Sequence, residues 1–331
     1  MSLGWSIIGT GGFAGSATAP AIKALGDGGS LVAAVSRDRD RADAFAAQHG
    51  VKRAYTDYAD LLRDREVDIV YISTPNAQHA EQALAAARAG KHVLCEKPLA
   101  LSVADARRMV EAFEAAGLKL GTHFQTRHHT AFVETKRLLE QRAIGDVILV
   151  QIEVSSGANP FRSWRADPQL AGLGSTNNIA VHPFDLVRYL LGSEVREVTA
   201  MTDVGRTAEL EHMILALLRF QNGTLAYVNA NQKVPNFQPD VDIYGTEGRI
   251  VGIDCTRPFR VGELRVLTAS GEKVAEYSSN DAVVRSIAAF NDAVAHDREP
   301  NASGLDGLRS VQLTDAAIRS AREGRAVEVA Y

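Results

Sequence analysis

The chain has 331 residues, of which 46% are hydrophobic and 23% charged, and 36 basic against 40 acidic residues leave a net charge of −4. This balance excludes a disordered or collagen-like chain and gives no reason for a polyanion-binding surface, although a local basic cluster can still hold one phosphate. The two cysteines, Cys95 and Cys255, lie far apart with no CxxC pair, and the start shows no basic region followed by a long apolar run. Neither a disulfide framework, a zinc knuckle, a signal peptide nor a membrane span is therefore expected, and a reducing, cytoplasmic setting fits.

In chain order, residues 5–8, 31–35, 69–72, 92–95 and 118–121 are short apolar runs that predict buried strands. Between them, 39–49, 77–89 and 104–116 carry apolar residues at the three-to-four spacing of one buried helical face. Ser102 with Asp105 predicts an N-cap for the last of these helices, and Gly50, Gly90 and Gly117 predict helix ends. Strands alternating with helices predict an α/β domain with a doubly wound parallel sheet, a Rossmann arrangement, over residues 1–122.

From 123 to 331 the pattern changes. Helices are predicted over 130–143, 180–191 and 307–323, and a strand over 147–154. Strand pairs 213–220 with 224–229, around Asn222-Gly223, and 241–244 with 249–253, around Gly245-Thr246-Glu247-Gly248, predict hairpins. These imply a second, α+β domain built on a mostly antiparallel sheet.

Two segments carry chemistry. Gly9-Thr10-Gly11-Gly12-Phe13-Ala14 fits G-x-G-x-x-A directly after the first strand, the context in which backbone N–H groups cradle a dinucleotide pyrophosphate. Pro20 is awkward inside a helix and predicts that the following helix starts late, after an extended turn. After the second strand, the Ser36 hydroxyl with the guanidinium groups of Arg37 and Arg41 suits the 2′-phosphate of NADP, while Asp38 keeps a ribose diol, and so NAD, open. At the carboxyl end of the fourth strand stands Glu96-Lys97-Pro98. A lysine beside a nicotinamide can give a proton to a carbonyl oxygen, or polarise it, while hydride reaches the carbon, and Glu96 can hold that lysine or the cofactor ribose.

These segments, with Ser73-Thr74-Pro75-Asn76 and His79, residues 89–98, and Gly245 to Gly248, resemble the glucose–fructose oxidoreductase / inositol dehydrogenase (Gfo/Idh/MocA) family over nearly the whole chain. The resemblance implies a substrate-binding and oligomerisation domain over 123–331 with a large sheet, one face of which makes a homodimer or larger assembly. It implies that Lys97 meets nicotinamide and substrate, that Thr74, Pro75, Asn76 and His79 line the cofactor, and that Trp164 and Arg165 lie near cofactor and substrate. Asn178-Ile179-Ala180-Val181-His182-Pro183-Phe184-Asp185 matches the family's D-x-x-x-H-x-x-D segment. His182 is then placed at the reacting oxygen, with Asp185 to orient it and Arg127 and Asn178 among the sugar contacts.

The family usually has Asp where this chain has Asn178, and an amide can hydrogen-bond but cannot take up a proton. His123, where an Asn often sits, is another departure, and Arg127, His128 and His129 can line the sugar site or cap a helix. The implied function is NADP-dependent reduction or oxidation of a sugar or polyol, with no catalytic metal, no nucleic acid and no membrane. Two other classes stay open: elimination of a glycosidic substituent through transient oxidation by bound NAD, and a non-enzymatic, dinucleotide-dependent sugar sensor. Residues 155–173 are the expected specificity loop.

Overall fold

The computed structural model of the chain describes residues 2–156, 162–204, 209–234, 240–256, 259–277 and 281–331. Of the expected specificity loop, residues 157–161 lie outside the described residues. The chain divides into two units, one formed by Met1–His123 with Val283–Leu308, the other by Phe124–Ala282 with Arg309–Tyr331.

The first unit holds a six-stranded parallel sheet made of β1 (Leu3–Ile8), β2 (Gly29–Val35), β3 (Arg53–Tyr55), β4 (Ile69–Ile72), β5 (His92–Cys95) and β6 (Leu120–Thr122), in the order β3-β2-β1-β4-β5-β6. The order reverses between β1 and β4, where ligands bind to open parallel sheets. The helices Arg39–His49, His79–Arg88 and Val103–Ala116 alternate with the strands. Ser102 caps the last of them by accepting from the Asp105 N–H, and Gly50 and Gly117 end their helices in the left-handed region.

The helix after β1 does not start late. Helical turns begin at Gly12, widen into a π-turn over Ala14–Thr18, and continue as α-helix Ala19–Lys23. The Ala19 N–H reaches back to the Ala14 carbonyl. That wide turn relieves the clash between the Pro20 ring and the preceding turn that a regular α-helix would impose.

One part of the first unit lies far down the sequence. The helix Ala282–Ala295 places Val283, Ile287 and Phe290 in the core formed by Trp5, Ile7 and Ile22. Phe290 packs edge-on to Trp5 with centroids 6.0 Å apart, and the Trp5 indole N–H donates to Asn291 Oδ1 at 2.9 Å. The Thr122 N–H donates to the Ala302 carbonyl at 2.9 Å. A single cut near residue 122 therefore does not separate the units, because the β1 face needs this later helix to cover its tryptophan.

The second unit holds a nine-stranded sheet made of β7 (Val147–Ser155), β8 (Val195–Thr202), β9 (Met213–Phe220), β10 (Leu225–Asn231), β11 (Asp240–Gly245), β12 (Gly248–Ile253), β13 (Glu263–Thr268), β14 (Gly271–Val274) and β15 (Val327–Glu328). Its order is β14-β13-β12-β11-β7-β10-β9-β8-β15, and it is antiparallel except between β7 and β10. The Asn222-Gly223 hairpin forms as predicted, with Gly223 at φ +89°. Alternate residues of β9 (Ile214, Ala216, Leu218, Phe220) point into a core shared with Phe184, Val187 and Leu190 of the helix Val181–Leu191. Among the described residues no helix is long and apolar enough to cross a membrane.

Candidate functional site

Gly9 is demanded by the protein itself. Its φ is +93°, its N–H donates to the Val35 carbonyl at 3.1 Å, and a Cβ there would stand 2.5 Å from the Ser73 carbonyl oxygen. Gly11 and Gly12 differ. Both are exposed, and a Cβ on either would meet no protein atom within 4 Å. The fold alone does not need glycine at those two positions, but the close approach of a pyrophosphate to a helix N-terminus does, so the turn fits a dinucleotide.

Ser36 directly follows β2, buried, with its N–H on the Tyr55 carbonyl at 3.1 Å. Residues 37–41 are exposed. Asp38 caps the helix Arg39–His49: its Oδ1 accepts from the Arg41 N–H at 2.9 Å, and its Oδ2 lies 3.8 Å from Arg41 Nε.

β4 and β5 end side by side, with Ile72 opposite Cys95. Thr74, Pro75 and Asn76 follow β4, and Glu96 and Lys97 follow β5, ahead of a cis Lys97–Pro98 bond. His79 is fully buried beneath them, with Nδ1 2.8 Å from the Pro98 carbonyl and Nε2 3.1 Å from the Thr74 carbonyl. Burial lowers its pKa in spite of those two oxygens. His79 thus ties the two loops together from below and offers no face to a ligand.

Glu96 is the hub of this edge. The Tyr71 hydroxyl donates to it, and His123 Nδ1 lies 3.0 Å from its Oε1 and 2.8 Å from the Tyr71 oxygen. His123 Nε2 reaches Ser286 Oγ at 2.8 Å, and Ser286 donates to the Val283 carbonyl. Burial alone would raise the Glu96 pKa, but the His123 contact, the charges of His123 and Lys97 and the Tyr71 hydrogen bond outweigh it and hold it at about 2. Glu96 is therefore a carboxylate at neutral pH. Burial, reinforced by Glu96, raises Tyr71 well above its usual range, so its hydroxyl keeps the proton it donates. Tyr71 and Ser286 were not anticipated from the sequence. The available signal was a tyrosine inside an otherwise apolar strand, since a buried phenol needs a partner.

In the second unit the histidine segment is longer than predicted, with a π-turn over Thr176–Ala180 leading into the helix Val181–Leu191. Along 174–188 every residue is buried except Asn178 and His182, which emerge about one turn apart. Thr126 Oγ1 lies 3.4 Å from His182 Nδ1, and Asn178 Nδ2 donates to Gln232 Oε1 at 3.0 Å.

The segment is anchored by buried charge. Arg127 donates to both oxygens of Asp185, from Nε at 2.7 Å and Nη2 at 2.6 Å, and both side chains are almost wholly buried. Arg127 was expected among the sugar contacts and Asp185 as the residue orienting His182; the structure pairs the two with each other. Glu211, also buried, accepts from the N–H groups of Gly174 at 3.1 Å and Thr176 at 2.8 Å. A Cβ at Gly174 would stand 2.0 Å from the Glu211 carbonyl oxygen. His129 caps the helix Thr130–Glu140, accepting from the Ala131 N–H, while its Nε2 meets the Arg260 carbonyl at 2.9 Å. Trp164 and Arg165 share the short turn Ser163–Ala166, with the guanidinium 4.3 Å above the indole ring. Glu211 and Gln232 carry no motif and were missed in the sequence.

Comparison with known proteins gives a consistent picture. Residues 3–124 match the oxidoreductase family with an NAD-binding Rossmann fold, and residues 132–251 match the GFO/IDH/MocA C-terminal domain. The chain is 33% identical to 1,5-anhydro-D-fructose reductase of Ensifer adhaerens over 328 residues, 98% of each chain. Among solved structures it resembles aldose-aldose oxidoreductase of Caulobacter crescentus complexed with glycerol (TM-score 0.91, 29% identity, 99% of this chain and 100% of that one). It also resembles levoglucosan dehydrogenase in complex with NADH (TM-score 0.90, 26% identity, all of both chains).

Proposed function

Because this chain belongs to the Gfo/Idh/MocA family of oxidoreductases, we propose that it transfers hydride between NADP(H) and a sugar or polyol carbon, with Lys97 and His182 handling the proton of the reacting oxygen. The substrate is an anhydrofructose-like ketone, an aldose or a ketose. When bound, the nicotinamide supplies or accepts the hydride. The backbone from Gly9 through Ala14 holds the pyrophosphate. Thr74, Pro75, Asn76 and Glu96 hold the nicotinamide half, with Trp164 and Arg165 beside it.

The NADP reading is supported at the end of β2. One oxygen of the Asp38 carboxylate is taken up by the helix cap, and the Ser36 hydroxyl with the exposed guanidinium groups of Arg37 and Arg41 are at hand as ligands for a 2′-phosphate.

The observation that carries the proposal is the ionised, half-buried Glu96 fixed beside Lys97 at the carboxyl edge of the parallel sheet. A carboxylate next to an ammonium group favours its charged, proton-donating form. From that position the ammonium group gives its proton to the oxygen as hydride reaches the carbon, or takes it back in the reverse direction.

The test is NADPH and NADH oxidation across aldoses, osones and anhydroketoses, repeated with Lys97→Met. The variant should bind NADPH nearly as well and lose roughly 10²- to 10⁴-fold in turnover. Full activity in Lys97→Met removes the role. Product without net NADPH consumption would replace the proposal by an elimination, and binding without turnover by a sensor.

A homo-oligomer through the outer sheet face completes the reading. Met201, Leu217 and Leu225 are 71%, 59% and 43% exposed on that face of β8, β9 and β10, an apolar stripe that suits a covered surface. Light scattering should report a dimer or larger, and Leu217→Glu should shift it toward monomer; a monomeric wild type discards the interface.

A further inference from the structure

The amide of Gln232 has an unused half. This residue directly follows β10, is 3% exposed, and is held through its main-chain N–H on the His212 carbonyl at 2.9 Å. Its Oε1 accepts from Asn178 Nδ2 at 3.0 Å, yet its Nε2 is buried without a hydrogen-bond partner among the described residues. A buried donor left unpaired costs about 1–3 kcal/mol. It sits beside Asn178, which with His182 is where an otherwise buried segment opens.

The residue at 178 explains the orphan. A carboxylate there, the usual residue in the family, is an acceptor only and would draw Gln232 Nε2 onto itself. The amide of Asn178 donates instead. Gln232 therefore presents its oxygen to Asn178 and keeps its N–H groups for something else. Exchanging Asp for Asn at one position thus removes a negative charge next to His182 and supplies a neutral donor.

We infer that Gln232 contacts the substrate and, with Asn178, selects a cyclic sugar by donating to an ether-type oxygen of its ring or anhydro bridge. The inference rests on the sugar-oxidoreductase reading above. A hydroxyl brings a proton that needs an acceptor, and the Gln232 acceptor is already taken; an ether oxygen brings none. The match is between a donor without an acceptor and an acceptor without a donor.

The experiment uses two probes of one ring size: 1,5-anhydro-D-glucitol, which has a ring oxygen, and myo-inositol, which has carbon in its place. KM is measured in the oxidative direction, and Kd by calorimetry on the NADP-loaded protein, for wild type, Gln232→Leu and Asn178→Asp. Wild type should prefer the anhydroglucitol about tenfold. Gln232→Leu should weaken that probe about tenfold, with KM moving more than kcat, and abolish the preference. Asn178→Asp should do the same by capturing Nε2, and both variants should melt close to wild type. Equal binding of the two probes by wild type, binding of neither, or an undiminished preference in Gln232→Leu overturns the inference. Because Kd is read without turnover, a protein that binds but does not react would sink the oxidoreductase reading and still decide this one.

Discussion

The edge of the first unit that carries Lys97 and the helix of the second that carries His182 are held in place by opposite means. Around Lys97 much of the geometry is set by the main chain. Gly9 allows a turn to pass within contact of Ser73, and His79 sets one ring nitrogen against a carbonyl of each loop and donates its single N–H to one of them. Around His182 the work falls to buried charges, Arg127 on Asp185 and Glu211 on the first N–H groups of the segment. Backbone devices need particular residue types at fixed local spacing, whereas a buried ion pair needs only that two residues meet. The first kind of site announces itself in a sequence and the second does not.

The largest effect that tests this contrast is at the ion pair. Arg127→Met takes from the buried Asp185 both of its short guanidinium contacts, with Arg188 Nη1 standing off at 3.7 Å, and should cost about 3–5 kcal/mol of stability in denaturant unfolding. The double variant with Asp185→Leu should recover most of it, because no uncompensated charge remains. Equal losses in single and double variants would mean that shape, not charge, anchors the segment.

Gly9→Ala attacks the backbone device. A residue with a Cβ at φ +93° and 2.5 Å from a carbonyl oxygen should lose about 2–3 kcal/mol. NADPH affinity should fall with it, since the turn must move. Wild-type stability together with wild-type affinity would show the turn to be more pliant than its contacts imply.

The smallest effect is the pH dependence of Glu96, a side-chain device set within the backbone-built edge. Its folded pKa of about 2 lies below the ordinary value of 4.5. Its stabilisation is therefore complete above about pH 4.5 and is lost as pH falls toward 2, since the unfolded chain takes up the proton first. Between pH 6 and pH 3 the wild type should lose on the order of 1–2 kcal/mol more than Glu96→Gln. Parallel thermal melting curves for the two proteins over that range would contradict the depressed pKa.

Much of the first unit was legible. The helix Arg39–His49 and the strands Ile69–Ile72 and His92–Cys95 have the bounds their apolar patterns predict. The helix Ala282–Ala295 shows why the rest was not. Its residues Val283, Ile287 and Phe290 do carry helical spacing, but nothing local says that their partner is Trp5. Similarly, His123 stood out as a departure, while its engagement with Glu96 depends on Tyr71 and Ser286, which are brought to it only by folding. Gln232 is less legible still, because its significance lies in a bond it does not make.

The late helix that covers Trp5 also bears on how the protein is made. A ribosome that has completed β6 has supplied every strand of the parallel sheet, yet the indole N–H lacks its acceptor and one flank of β1 lacks Phe290 until the chain has grown past residue 291. During that interval the nascent sheet exposes apolar surface of the kind that invites aggregation. The first part to emerge is thus among the last to be finished. A fragment ended at residue 123 would stay in that unfinished state, while supplying 283–308 in trans would offer the missing cover.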